Sequence, residues 1–204
     1  LISRRAQVAA SSAFQPTRIA EQYLLELDAL LRSVDLGAVE RVVRRLQAAR
    51  DSGATVYVIG NGGSAATAAH WVNDLGKATK RSGRNPIRAM ALAENTSWLT
   101  ALGNDEGFER VFVGQLENFA RSGDVLIVIS ASGNSPNLVR AVEMASSLGL
   151  VTIGLLGFDG GVLRRMVAET IWLPSKVGAY GLVESGHAVI ADIITTCLIQ
   201  DVPA

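Results

Sequence analysis

DVLIVISASGNSP, residues 124–136, runs from an aspartate through consecutive aliphatic residues into serines, a glycine and a proline. A short, β-branched run without alternation reads as a strand buried on both faces. Ser135 suits a helix N-cap and Pro136 the first helical position, so the strand passes almost directly into a helix. A similar handover stands upstream in TVYVIGNGGS, residues 55–64. In an open parallel sheet, ligands gather at the carboxyl ends of the strands, where both clusters fall.

Working outward, the pattern predicts strands at Thr55–Ile59, Pro86–Leu92, Asp124–Ser130, Val151–Leu156 and Glu169–Pro174. Helical spacing predicts helices over Ser64–Lys80, Thr96–Leu102, Phe108–Arg121, Pro136–Leu148 and Leu182–Ile199, with a turn near Val162–Met166. Alternation of apolar strands and helices indicates an α/β fold: a five-stranded parallel sheet covered on both faces in a doubly wound, three-layer sandwich. Two further helices precede it. One starts at Gln15-Pro16-Thr17, and a second follows Asp35, with Val39, Val42, Val43, Leu46 and Ala49 as its inner face, and stops at Asp51-Ser52-Gly53. Residues 1–15 carry no periodicity and are expected to be a mobile arm, leaving 16–204 as one domain. The apolar faces of the two N-terminal helices (Leu24, Leu27, Leu31, Val39 and Val43) are expected to meet symmetric copies in a dimer or tetramer.

Composition narrows the partners. The 19 basic residues balance 19 acidic ones, so no electrostatic grip on nucleic acid or an anionic membrane is expected. No run of about 18 uninterrupted apolar residues suggests a membrane span. The longest candidate, Ala188–Ile199, contains Asp192, Thr195 and Thr196. The single cysteine, Cys197, permits no intrachain disulfide and fits a reducing, cytoplasmic setting. No secretory pattern opens the sequence.

The two loops point to an anion. Backbone N–H groups at a helix start, with the macrodipole behind them, favour negative charge. Ser130, Ser132 and Ser135 add neutral donors. Either loop alone is equally well a tight turn; two in one sheet favour a ligand. The first loop lacks the final spaced glycine and the following acid of a dinucleotide site, and no lysine stands where a triphosphate loop needs one. A small phosphorylated metabolite fits best.

GNGGS (60–64), GND (103–105), SASGNS (130–135) and DGG (159–161), in this order, resemble the sugar isomerase (SIS) domain family, and within it the phosphoheptose isomerases. The resemblance spans roughly residues 18–200. It implies a homotetramer with sites between subunits, and an aldose–ketose isomerase for sedoheptulose 7-phosphate or a related sugar phosphate. By the same resemblance Ser130, Ala131, Ser132 and Ser135 hold the phosphate, with Ala131 replacing a frequent threonine. Asn61, Gly62 and Ser64 meet the sugar, and Asn95 stands where the family often has an aspartate.

Moving a carbonyl between neighbouring carbons requires a base and a group to serve the oxygen. His70 and Asp74, at i and i+4, share a helical face after the first loop. On the last helix Glu184 and His187 are three apart, and Asp192 lies two turns beyond Glu184. Flanked by Val189, Ile190, Ile193 and Ile194, Asp192 is expected to be buried and in need of a partner or a function. His187 reads more simply as a core or interface histidine. The resemblance implies a histidine and glutamate on the first helix, and a glutamine and histidine on the last, which in some members hold zinc. His70 keeps its place, while Asp74, Glu184 and Asp192 replace the other three. Shortening the base by one methylene moves it by about an ångström, a cost of roughly a hundredfold.

Two outcomes follow. In one, His70, Asp74, Glu184 and Asp192 hold a divalent metal, zinc by resemblance and manganese or iron by donor type, while His70, Asp74 and Asp192 carry the acid–base chemistry and Glu184 also meets substrate. In the other, the domain only binds a phosphosugar as a regulator, or serves as a protein adaptor like the family's replication-initiator-binding relative.

Overall fold

The computed structural model describes residues 14–82 and 84–201. Most of the arm expected over residues 1–15 therefore lies outside the described residues. Helix α1 (Pro16–Arg32) begins at its proline, and α2 (Leu36–Ser52) begins where the Asp35 carboxylate accepts the Gly37 N–H at 2.8 Å. Gly53, at φ 73°, closes α2 in the left-handed conformation that a glycine adopts without strain. The strands are β1 (Thr55–Ile59), β2 (Arg88–Ala91), β3 (Val125–Ser130), β4 (Val151–Leu156) and β5 (Glu169–Trp172). They form one parallel sheet in the order β2-β1-β3-β4-β5, so β1 and β3, the strands that end in the two loops, are neighbours.

Alternation along each strand divides the core in two. Val56, Val58, Ile127, Ile129 and Ile153 face α2, α3 (Gly63–Lys77) and α7 (Tyr180–Gln200), which contribute Val42, Leu46, Trp71 and Ile194. Tyr57, Ile59, Leu126 and Val128 face the opposite layer, built by α4 (Thr96–Asp105), α5 (Val113–Phe119) and α6 (Pro136–Ser147), which add Leu102, Leu116, Leu138 and Val142. The expected doubly wound sandwich is present, with helices on both faces of a purely parallel sheet.

Several boundaries differ from expectation for local reasons. The helix expected over Phe108–Arg121 divides into a 3₁₀ turn at Phe108–Arg110 and the shorter α5, which Ala120 ends with an extended ψ of 144°. Helix α3 tightens into a 3₁₀ turn after Lys77. Strand β2 is shorter than expected because Leu92 opens a 3₁₀ turn. The inner face expected for α2 is realised, with Val39, Val42, Leu46 and Ala49 buried and Val43 half-buried against the sheet, while Leu27 and Leu31 are half-buried because α1 packs on α7. Ile19, Leu24 and Leu25 remain exposed along α1.

Helix α7 is longer than expected, and by length and composition alone it would cross a membrane. Its Val183, Gly186, His187, Ile190, Ala191, Ile194, Thr195 and Leu198 are instead built into the core. The far end of α7 is tied down by Asp201, which accepts hydrogen bonds from Arg50 and, at 3.2 Å, from Arg84.

Candidate functional site

The serine loop is a rigid turn. Ser130, at the end of β3, is buried, and its hydroxyl accepts the Gly133 N–H at 3.0 Å. Gly133 sits at φ 63°, where an added Cβ would fall 2.0 Å from the Gly160 carbonyl oxygen. Gly161, at φ 57°, would bring a Cβ within 2.4 Å of the Ser132 carbonyl oxygen. The two turns thus lie backbone against backbone, an approach only glycine permits. Asn134 completes the joint, donating from Nδ2 to Ser132 O at 3.0 Å and accepting the Val162 N–H at 3.0 Å. Ala131 is buried with Phe158 and Val183.

These bonds divide the three serines. The Ser130 hydroxyl accepts within the turn, which leaves its own hydrogen to be donated elsewhere. Ser132 is half-buried and makes only a 3.4 Å contact from the Asn134 N–H. Ser135 occupies the N-cap of α6 in an extended conformation, as expected, but its side chain makes no cap hydrogen bond. Its hydroxyl and the positive end of α6 therefore remain available to an anion.

The glycine loop is already occupied in part. Gly62, at φ 53° and ψ −121°, caps α3, and Ser64 is buried one residue inside the helix. The Glu184 carboxylate lies against this turn: a Cβ on Gly63 would come within 2.5 Å of Glu184 Oε2. A carboxylate at a helix start offsets the macrodipole. Of two helix starts built to attract negative charge, α3 holds an internal anion and α6 does not.

The two loops are joined by side chains. Asn61 Nδ2 donates to Asn137 Oδ1 at 3.0 Å, and Asn137 Nδ2 donates back to Asn61 Oδ1 at 2.8 Å. Asn61, expected to meet the sugar, thus spends most of its amide on the neighbouring loop. Asn95, also expected at the substrate, caps α4 by accepting the Trp98 N–H at 3.2 Å.

On the next turns of α3, His70 Nε2 stands 3.4 Å from Asp74 Oδ2, and Asn73 donates to Asp74 Oδ1 at 3.1 Å. The carboxylate is three-quarters buried while the imidazole is largely exposed. Trp71 fills the space beneath, its indole N–H donating to Thr195 Oγ1 at 3.1 Å. Asp192 is exposed, contrary to the expectation of a buried acid. The buried stripe of α7 passes through Ile190, Ala191, Ile194 and Thr195 and leaves positions 192 and 193 outside it.

His70, Asp74, Glu184 and Asp192 do not assemble as a ligand set within one chain. Only His70 and Asp74 pair, Glu184 is seated on Gly63, and among the described residues no three histidines, cysteines or acids group as metal ligands. His187 lies fully in the core, and neither ring nitrogen has a hydrogen-bond partner. Burial pushes its pKa down to about 4, an effect only partly offset by the nearby Leu156 backbone. It is neutral at physiological pH and is not a proton donor there.

Sequence reading missed Asn137 and the strained Phe158. Phe158 holds φ 44° at the end of β4, where its N–H meets Ser175 Oγ at 3.1 Å and its carbonyl accepts the Trp172 indole N–H at 3.0 Å. A signal for Asn137 was present: each loop carries an asparagine, and adjacent parallel strands bring such residues together.

The SIS domain family matches residues 22–157. The chain belongs to that family, as its parallel sheet and paired strand-end loops indicate. Its likeness to curated relatives sets it on the phosphoheptose isomerase-like branch. It is 39% identical over 170 residues to a probable phosphoheptose isomerase of Thermoplasma volcanium, covering 83% of this chain and 84% of the relative. It is 43% identical over 160 residues to the phosphoheptose isomerase of Geotalea daltonii, covering 78% and 82%. Among solved structures, a phosphoheptose isomerase from Francisella tularensis superposes with a TM-score of 0.83 at 26% identity, over 92% of this chain and 100% of that one.

Proposed function

We propose that the chain is an aldose–ketose isomerase acting on sedoheptulose 7-phosphate or a closely related sugar phosphate through an enediol. One observation carries this reading: the open helix start at Ser135 is clasped to the glycine loop that leads, along α3, to His70 and Asp74. The phosphate dianion is taken by the Ser132 and Ser135 hydroxyls and the first turn of α6. The sugar then extends toward α3. Asp74 removes a proton from C1 while the C2 carbonyl oxygen gains one, giving the enediol. A proton returns to C2 as the C1 hydroxyl gives up its own, and the aldose results. His70, paired to Asp74, orients the carboxylate and is the group placed to serve the sugar oxygens.

Sedoheptulose 7-phosphate incubated with the protein in deuterated water, with and without added divalent metal, is expected to gain deuterium at C1 and to yield an aldose phosphate. Binding without exchange would overturn the isomerase in favour of a phosphosugar-binding regulator.

The exposed Ile19, Leu24 and Leu25 on α1 are covered by further copies of the chain in this reading. Light scattering should give a mass two or four times that of one chain. A monomer at micromolar concentration would contradict it.

A further inference from the structure

We infer that Asn137 is a positioning residue that fixes the glycine loop, and with it α3, relative to the phosphate site. This rests on the phosphosugar reading of the serine loop. The Asn137 side chain is almost wholly buried, at 2% exposure, so it lies beneath the surface that a substrate would touch. Its amide nonetheless both donates and accepts across the gap between the loops. Nδ2 donates to Asn61 Oδ1 at 2.8 Å, and Oδ1 accepts from Asn61 Nδ2 at 3.0 Å and from the Leu138 N–H at 3.0 Å. No other side-chain pair among the described residues bonds the 130–137 segment to the 60–64 segment. The pairing is reciprocal, so it fixes both the separation and the relative rotation of the two loops.

The rest of the serine loop is held from elsewhere. Ser130 secures Gly133, and Asn134 secures the turn at Val162. Removal of the Asn137 amide therefore leaves the phosphate-binding turn intact but frees the glycine loop to drift. A ligand that occupies only the turn should not register the change. One that spans from the turn to His70 and Asp74 should. The clasp thus converts occupancy of the phosphate site into placement of the sugar against α3, and a 1 Å displacement at that distance is enough to cost two orders of magnitude in rate.

The test compares two probes, inorganic phosphate and sedoheptulose 7-phosphate, on the wild type and on Asn137→Ala, Asn137→Ser and Asn61→Ala. Asn137→Ser adds no charge to the start of α6 and is too short to bond both groups of the Asn61 amide, so it serves if the alanine variant folds poorly. Inorganic phosphate affinity is expected to stay within about twofold in both Asn137 variants. Affinity for the sugar phosphate should fall about tenfold, and kcat about a hundredfold. Combining Asn61→Ala with Asn137→Ala should add little to either single loss. A merely structural asparagine would lower the melting temperature and leave the ratio of the two affinities unchanged, and that result overturns the inference. Wild-type protein that takes up neither probe overturns the phosphosugar reading beneath it, and the inference with it.

Discussion

Asp74→Asn is expected to lower C1 proton exchange about a thousandfold, within the range a positioned general base supplies. The substitution keeps the shape of the side chain, and Asn73 and His70 still have a polar partner at that position. What disappears is the carboxylate to which the proposed mechanism gives the C1 proton. Phosphosugar affinity should change by less than about threefold, since the proposed anion site is made by Ser132, Ser135 and the α6 terminus, at the other end of the substrate from Asp74. The pairing of a lost rate with a retained affinity is diagnostic. Equal loss of both would mean that Asp74 holds α3 in shape and does not perform chemistry; an unchanged rate would place the base elsewhere.

The second large effect lies in acid stability and follows from His187. Its imidazole is buried without a hydrogen-bond partner, and burial brings its pKa from 6.5 in the unfolded chain down to about 4. Between those values the unfolded chain binds a proton that the folded chain refuses. Stability from this group is therefore complete above about pH 6.5 and drains away as the pH falls toward 4, by about 3 kcal/mol in all. Urea unfolding of the wild type and of His187→Leu at several pH values between 4 and 7 separates this from the titration of carboxylates, which both proteins share. The wild type should lose about 3 kcal/mol more than the variant across that interval. Parallel pH profiles would mean that the histidine finds a proton acceptor in solution and is not buried neutral.

Much of the architecture was legible because the signals were local. Aliphatic runs such as Val125–Ile129 admit little besides a strand buried on both faces, and Ser135-Pro136 marks a helix start by chemistry that needs no distant partner. Asp35 before α2 and Gly53 after it are cues of the same kind, and both are realised. Residues whose role depends on position around a helix were read less well. Asp192 has apolar neighbours on both sides in sequence, which suggested burial. A helix turns about 100° per residue, however, and the stripe formed by Ile190, Ala191, Ile194 and Thr195 passes it by.

The departures at the site have a different cause. The family resemblance gives Asn61, Asn95 and Ser130 to the substrate, and each also has structural work: a clasp to Asn137, a helix cap and a turn. A short polar side chain beside a strand end suits either task equally, and only the three-dimensional neighbours decide. The clasp itself required knowing that β1 pairs with β3, a long-range fact that periodicity does not carry. Likewise, Glu184 was placed near the site from its helix, but its seat on Gly63 depends on how α7 crosses α3.

The proposed isomerase depends on capture of a phosphorylated sugar at the start of α6. Calorimetric titration of sedoheptulose 7-phosphate into the wild type and into Ser135→Ala examines it most directly, because this hydroxyl has no cap bond whose loss would confuse the result. Saturable one-site binding is expected in the wild type, weakened about tenfold by the substitution, as for a hydrogen bond to a charged group. No binding by the wild type, or equal affinity in the two proteins, would contradict it.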